Sequence, residues 1–191
     1  MNQKIKRIKK LADMTAADWQ ARKQLEGAYA SRPSDFALQL LKAMEGNDPI
    51  SDALGMVDTY DHSLQAATRA FRDGADEETV VVCLLHDIFD MTAPFNHDAM
   101  AAEFLRPYVS EENYWAVRHH GTFQQFYMQS NPSIDSNARE RFRGQPGFDR
   151  TVEFCERWDQ VSFDPDYEAL PLSFFEPMVH RVFARRHDSG E

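Results

Sequence analysis

The chain has 191 residues, of which 42% are hydrophobic, and its formal net charge at pH 7 is −10. This length suits one domain, or two small ones, with a core that needs no disulfide support. The negative charge argues against duplex nucleic acid as the main partner, because phosphate neutralisation requires a basic surface or a strong basic patch. The basic cluster between Lys4 and Lys10 is interpreted as a frayed, solvated end.

The sequence also lacks the signals of membrane insertion and export. No apolar run reaches the roughly 18 residues that a membrane helix needs, and the N-terminus lacks the apolar segment of a signal peptide. We therefore expect a cytoplasmic protein that has no membrane partner. Cys83 and Cys155 lie in apolar stretches and form no CxxC pair, so both are interpreted as buried thiols.

Residues 1–48 are interpreted as an N-terminal helical segment that packs on the core. Thr15 and Asp18 form a capping-box pattern, which predicts the start of a helix. Ser34 is expected to cap the next helix, which Gly46 ends. The apolar face predicted for that helix consists of Phe36, Ala37, Leu40, Leu41 and Met44.

Residues 49–191 are interpreted as the core domain, and its first part carries the most continuous apolar run. A helix through His62 is expected to end at the Asp73-Gly74 turn. Asp76 then caps a segment that contains the apolar run Val80–Leu85. The β-branched stretch Thr79–Val82 would also suit a buried strand. The acidic first turn and the absence of alternation favour a buried helix.

The rest of the core also shows mainly helical signals. Asn96 is expected to cap a helix that Pro107 stops, and Ser110 starts the next one. Further helices are expected over residues 149–161 and 173–186. An irregular, polar loop is expected at about 129–148, either as a solvated loop or as a substrate lid. The predicted fold class is therefore all-α.

Most of the chain's seven histidines lie in one part of the sequence. They are His62, His86, His97, His119 and His120. His86 and Asp87 close the apolar run, and two ionisable groups at the end of a buried helix are costly unless they are paired. A metal ion shared with other histidines is one solution, and a solvated helix end is the alternative. Imidazole and carboxylate ligands suit iron, manganese, nickel or zinc.

The order of these residues resembles a known family. His62, His86-Asp87, His97, His120 and Asp159 follow the H…HD…H…H…D pattern of the HD-domain superfamily of metal-dependent hydrolases and oxygenases. The resemblance extends over roughly residues 50–165 and implies an HD-domain helical bundle.

Local strings within that region favour the oxygenases. Residues 60–67 resemble the H-x-x-Q-x-A segment of myo-inositol oxygenases and of the oxygenases that cleave organophosphonates. Residues 104–108 and 116–120 resemble the phosphonate-cleaving group. Phosphohydrolases often carry a glycine and a lysine or histidine where Phe89 and Asp90 stand here.

The resemblance also implies a ligand set for two iron ions in the mixed-valent Fe(II)/Fe(III) form. The ligands of the first ion would be His62, His86, Asp87 and Asp159. Those of the second would be Asp87, His97 and His120. Asp87 would bridge the two ions as the catalytic carboxylate, and the R-x-H match of Arg118 favours His120 over His119. The implied co-substrate is dioxygen, and manganese, nickel or zinc are the alternative metals.

The expected substrate is a small molecule that the family pattern does not identify. Residues 52–55 lack the tyrosine and glutamate that close over the iron in the phosphonate-cleaving group, and Gln124 replaces its phosphonate-contacting lysine. Asp90 replaces a lysine of the inositol oxygenases. An anionic substrate would therefore need Arg118 or the arginines of residues 139–150. Asp90 would instead favour an amine or a quaternary ammonium group.

Other residues near the pattern leave two interpretations open. Gln65 shares a helix face with His62, either to orient that ligand or as a core amide bonded to backbone. Phe123, Phe126 and Tyr127 form either core packing or the wall of a pocket.

Three functional hypotheses follow from the sequence. The first is a diiron oxygenase acting on a small hydroxylated substrate, such as an organophosphonate or an amino alcohol. The second is a metal-dependent phosphohydrolase acting on a phosphoester or nucleotide. The third is a non-enzymatic sensor or binding module that keeps the metal only for structure.

Overall fold

A computed structural model describes residues 8–29 and 31–185. Over these ranges the fold is all-α and contains no strand, which confirms the predicted fold class. Lys4, Lys6 and Arg7 of the basic cluster, and Arg186 at the end of the last predicted helix, lie outside the described ranges. Each helix in the described ranges is too short or too polar to span a bilayer.

The helices follow one another in chain order and are numbered here as they occur. They are α1 (Ala16–Glu26), α2 (Arg32–Met44), α3 (Pro49–Leu54), α4 (Thr59–Arg72), α5 (Glu77–Leu85), α6 (His97–Leu105), α7 (Glu111–Gln124), α8 (Phe148–Phe154) and α9 (Leu172–Ala184). Short 3-10 turns lie at Leu11–Asp13, Gly27–Tyr29, Gln125–Tyr127 and Ala138–Phe142, and a π turn at Cys155–Asp159.

The first two helices relate differently to the core. The capping box of Thr15 and Asp18 forms as predicted, but α1 buries none of its residues. In contrast, α2 buries Ala37, Leu41 and Met44 and packs against α4 and α9. The N-terminal segment thus packs on the core through α2.

The prediction that Ser34 caps α2 is wrong. The helix begins two residues earlier, at Arg32, with Pro33 in its first turn. Proline suits that position because its fixed φ angle is helical and its missing N–H has no partner there. The Ser34 hydroxyl instead donates to the carbonyl oxygen of Ser31 at 2.8 Å. Gly46 ends the helix as predicted, in the left-handed region with φ +64°.

The centre of the core is α5. Each side chain from Thr79 to Leu85 is at most 1% exposed, and the helix packs against α4, α7 and α9. A helix that is apolar on all sides is stable only when neighbours surround it. The choice of a buried helix over a strand is confirmed, as is its cap, in which Asp76 accepts from the Thr79 N–H at 2.9 Å.

Three other local predictions need correction. The α3 helix was not predicted, although Asp48 before Pro49 is a standard start signal and its side chain accepts from the Ile50 and Ser51 N–H groups. Asn96 precedes α6 as expected, but its side chain makes no capping bond. The helix predicted over 149–161 is present, but it is α-helical only to Phe154 and continues as a π turn to Asp159.

Candidate metal centre

Separate segments bring the predicted ligands to one place. His62 lies on α4, His120 on α7 and His97 at the first position of α6. His86 and Asp87 directly follow α5, and Asp159 ends the π turn. The π turn widens the helix by one residue per turn, with the Gln160 N–H bonded to the Cys155 carbonyl oxygen at 3.0 Å, and such turns recur at functional sites.

Four donor atoms form what we call the inner half of the centre. They are Nε2 of His62, Nε2 of His86, Oδ1 of Asp159 and Oδ2 of Asp87. The measured separations among these atoms range from 3.2 to 3.6 Å. Ligands that lie about 2.1 Å from a tetrahedral divalent ion are about 3.4 Å apart. The inner half therefore has the spacing of a metal-ligand set.

The tautomers of the histidines follow from their backbone contacts. Nδ1 lies 3.0 Å from the Ser162 carbonyl oxygen in His62, 2.9 Å from that of Cys83 in His86 and 2.7 Å from that of Val117 in His120. A carbonyl oxygen only accepts, so each Nδ1 carries the proton. In the neutral ring Nε2 then presents a lone pair to the centre, which is the state that binds metal.

Two such lone pairs cannot face each other without a positive charge between them. Nε2 of His62 and Nε2 of His86 are 3.2 Å apart in a site where both side chains are at most 1% exposed. Burial disfavours protonation of His86, yet Asp87 and Asp159 outweigh it and raise the pKa of His86 well above its ordinary value. The two carboxylates therefore favour a positive charge at this position.

Three donor atoms form the outer half. Nε2 of His120 lies 3.0 Å and Nε2 of His97 lies 3.3 Å from Oδ1 of Asp87. His120 is buried, whereas the His97 side chain is 21% exposed. The Nδ1 of His97 faces Oδ1 of Asp90 at 3.4 Å, without forming a hydrogen bond. This half therefore opens towards the surface at His97 and Asp90.

The carboxylates are held in their charged forms. Burial alone would raise the pKa of Asp87, but His86 and His120 lower it well below its ordinary value. Burial would also raise the pKa of Asp159, but the contacts of its carboxylate with His62 and His86 lower that pKa below its ordinary value. Oδ2 of Asp159 is buried and has no hydrogen-bond partner. An orphaned buried carboxylate oxygen is costly, and it belongs to the same carboxylate whose Oδ1 faces His62 and His86.

Of the two glutamines predicted to act beside the ligands, one contacts a ligand and the other contacts backbone. Gln124 donates from Nε2 to Oδ1 of Asp159 at 3.0 Å, so it contacts a ligand directly. Gln65 does not: its amide bonds both the N–H and the carbonyl oxygen of Asp164. It fixes the loop near Ser162, whose carbonyl orients His62.

The neighbours of His120 on α7 lie outside the donor set. The His119 ring packs against Trp115 and Phe142, with centroids 4.3 and 4.5 Å apart. Arg118 is half-buried beside it. Burial lowers the pKa of His119, and the positive charge of Arg118 lowers it further. Of the two adjacent histidines, only His120 contacts Asp87.

One contact of a ligand was not predicted from the sequence. The Phe163 ring stacks on the His62 ring, with centroids 4.3 Å apart and planes at 19°. Phe163 is 40% exposed, so it covers the edge of the inner half from solvent. Its position one residue after Ser162 was the available signal, but only the fold reveals that this loop returns to α4.

Two overlapping sets of buried donors could hold a metal ion. One is His62, His86 and Asp159, and the other is His86, Asp87 and His120. The donor types suit iron, manganese, nickel and zinc equally. No model of a known protein family matches the chain, and a search of curated proteins also found no match. The site is therefore interpreted from its own residues and their geometry.

Proposed function

We propose that this protein is a dinuclear-metal oxygenase of the HD-domain type, with two iron ions as its metals. One observation carries the proposal: the two oxygens of Asp87 face two different sets of imidazoles. Oδ2 lies 3.5 and 3.2 Å from Nε2 of His62 and His86, and Oδ1 lies 3.3 and 3.0 Å from Nε2 of His97 and His120. A carboxylate placed in this way can bridge two ions.

The choice of oxygenase over phosphohydrolase is supported by the residues around the pattern. The H-x-x-Q segment from His62 to Gln65 resembles the oxygenases, and Phe89-Asp90 lacks the lysine frequent in phosphohydrolases. His97 and His120, the histidines that dinuclear members add, both contact Asp87. This full set of ligands also favours an enzyme over a module that keeps the metal only for structure.

Each half of the centre has its own task in this proposal. Iron, when bound, supplies the redox chemistry that dioxygen requires. His62, His86 and Asp159 would hold the inner ion in a buried site, and the Phe163 ring shields that side from water. The exposed outer half at His97 is where a small polar substrate can reach the centre.

Gln124 and the backbone carbonyls keep the ligands oriented. The amide of Gln124 fixes the rotamer of Asp159, and the carbonyls of Cys83 and Val117 fix the rings of His86 and His120. Such supporting bonds keep imidazole Nε2 free for metal and reduce the reorganisation that binding requires.

The test is oxygen consumption by iron-loaded protein. Protein produced with added iron and purified anaerobically is mixed with phosphonates, amino alcohols and polyols, and dioxygen uptake is followed with an electrode. We expect substrate-dependent uptake with at least one class, abolished in His86→Ala and retained in His119→Ala. Phosphoester hydrolysis by the manganese or zinc form, without any dioxygen uptake, would contradict the oxygenase and establish the hydrolase.

A further inference from the structure

Arg150 joins three of the helical segments that carry the metal ligands. It lies on α8, which continues as the π turn that ends at Asp159. Its Nη2 donates to the Thr79 hydroxyl on α5 and, at 3.0 Å, to the side-chain oxygen of Asn113 on α7. Its Nε donates to the same Asn113 oxygen at 3.2 Å, and its Nη1 donates to Glu153 at 2.9 Å. One guanidinium therefore bonds α5, α7 and its own helix.

A carboxylate extends these contacts to the beginning of α7. One oxygen of Glu78 accepts from the Ser110 N–H and from Nδ2 of Asn113, each at 2.7 Å. Ser110 is the N-cap of α7, and Glu78 lies in the first turn of α5. The first turns of the two helices are therefore bonded to each other. We call Arg150, Thr79, Asn113 and Glu78 the Arg150 network.

The network lies two helical turns from a metal ligand on both α5 and α7. Thr79 precedes His86 by seven residues, and Asn113 precedes His120 by seven. His86 keeps helical backbone angles of φ −61° and ψ −32°. Each pair therefore shares one face of its helix, about 10 Å apart along the axis. The two helices run in the same direction, with the network near their starts and the ligands towards their ends.

Stability alone does not account for this network. Thr79 and Asn113 are at most 4% exposed, and the Arg150 side chain is 19% exposed. Burying a guanidinium costs solvation energy, and apolar residues of similar volume often stabilise a fold as well or better. The apolar packing of α5 is non-directional, whereas the planar fork of arginine fixes both distance and direction. The network thus constrains how α5, α7 and α8 are placed along one another.

This placement matters most at the carboxylate that both halves of the centre share. Asp87 follows α5, and its Oδ1 lies 3.0 Å from Nε2 of His120 on α7. Metal–ligand distances tolerate deviations of only about 0.2 Å. A slide of α7 along α5 by even a fraction of the rise of one residue, which is about 1.5 Å, would separate these two ligands.

We propose that Arg150 is a positioning residue of the metal centre: the Arg150 network fixes α5 against α7 and thereby places Asp87 and His120 on the same ion. The inference rests on the proposed function, because that function requires two ions. It deepens the proposal by naming what aligns the outer half. Arg150 acts from two turns away, through the backbones of the two helices.

The test measures how tightly the metal-free protein binds its second ion. Mn²⁺ is titrated by calorimetry into the wild type and into Arg150→Met, which keeps a long side chain and removes its donors. We expect two Mn²⁺ per wild-type chain. In Arg150→Met the second ion should bind at least about tenfold more weakly. The first should change less than about threefold, because backbone carbonyls orient the inner imidazoles.

Arg157→Met is the matched control. Arg157 also bonds Glu153 at 2.9 Å, and its guanidinium carbon lies 5.4 Å from the centroid of the Trp158 ring, against 5.3 Å for Arg150. Its side chain otherwise bonds Asp73, the C-cap of α4, at 3.0 Å. Because exposed pairs of this kind contribute little, we expect both Mn²⁺ affinities to stay within about twofold of the wild type.

A pair of substitutions at Thr79 tests the same network with a smaller change. Thr79→Val keeps the shape of the side chain but removes the hydroxyl that bonds Arg150 and Asp76. Thr79→Ser keeps the hydroxyl. We expect Thr79→Val to weaken the second ion and Thr79→Ser to retain the wild-type affinity. This comparison decides the question if Arg150→Met does not fold.

A spectroscopic measurement distinguishes positioning from a general loss of stability. We expect the electron paramagnetic resonance spectrum of a coupled pair from the wild type with two Mn²⁺, and that of isolated ions from Arg150→Met at the same Mn²⁺ concentration. Leu41→Ala changes the core on α2, which packs against α4 and α9. It should lower the melting temperature but keep the coupled spectrum. Equal loss of coupling in Leu41→Ala and Arg150→Met would overturn the inference.

Dioxygen uptake separates failure of this inference from failure of the proposed function. If Arg150→Met and Thr79→Val lose the second ion but the iron-loaded wild type consumes no dioxygen, the positioning role stands and the oxygenase fails. If dioxygen is consumed while both variants keep the wild-type affinity for the second ion, the oxygenase stands and the positioning role fails. A wild type that binds only one Mn²⁺ also overturns the positioning role.

Discussion

The inner and outer halves of the metal centre share Asp87 but hold their imidazoles differently. In the inner half, His62 and His86 are at most 1% exposed, and each donates from Nδ1 to a backbone carbonyl. In the outer half, His97 is 21% exposed and faces Asp90, a side chain that is itself 40% exposed. Only His120 in that half has the backbone contact.

Such a division lets one fold combine retention of metal with access for substrate. The rings of His62 and His86 are buried and each is bonded to a backbone carbonyl, so the inner donors are preorganised. A ligand such as His97, whose ring partner is an exposed carboxylate, can shift at little cost. We therefore expect the inner half to bind metal first and the outer half to exchange it more readily.

The largest effect is expected from removing the most central imidazole. His86→Ala removes one of the two imidazoles that contact both Asp87 and Asp159, and loss of one partner from a buried charged pair costs about 3–5 kcal/mol. We predict no bound metal and a melting temperature lower by about 10 °C, measured by elemental analysis and calorimetry. His119→Ala, one residue from a ligand, is the control and should keep its metal.

Metal removal is expected to have the next largest effect. A ligand at one hundred times its dissociation constant stabilises the folded state by about 2.7 kcal/mol. For a chain of this size, that corresponds to a rise in melting temperature of about 5–10 °C. Calorimetry with iron or manganese, and then with excess chelator, checks this. Identical melting curves would contradict the assignment of an ion to the inner half.

A substitution in the outer half should remove one metal ion and leave the other bound. His97→Ala removes an exposed donor that makes no hydrogen bond from Nδ1, so we expect the melting temperature of the metal-free protein to change by less than about 2 °C. Iron content should fall from two ions per chain towards one. An unchanged content of two ions would show that His97 is not a ligand.

The smallest effect is expected from a change at Asp90, the carboxylate that faces Nδ1 of His97. Asp90→Asn keeps the shape of the side chain but removes the charge beside Nδ1 of His97. Partners of this kind typically change metal affinity by about 10–100-fold. We expect weaker binding of the second ion only, measured by titration of the metal-free protein with Mn²⁺. Equal weakening at both halves would contradict the division into inner and outer.

The sequence predicted the inner half better than its surroundings, for a physical reason. His86-Asp87 ends the apolar run of α5, where two ionisable groups need partners. The order of the histidines and Asp159 resembles the HD-domain pattern, and this resemblance predicted which residues are the partners of His86 and Asp87. The apolar run, which predicts burial, and the order of the ligand residues can both be recognised in the sequence. The structure brings His62, His86, Asp87 and Asp159 together, as that order predicts.

Contacts between distant segments could not be predicted. Phe163 on His62, and Gln65 on the backbone of Asp164, depend on the loop after the π turn returning to α4. Nothing in the local periodicity encodes that return.

The most direct test of the shared carboxylate is the number of iron ions per chain together with their spectroscopic state. Protein loaded with iron, purified without oxygen and then partly oxidised is measured by elemental analysis and by electron paramagnetic resonance. We expect about two irons per chain and a signal below g = 2 from a coupled mixed-valent pair. A single iron per chain, with the signal of an isolated ion, would contradict a bridging Asp87.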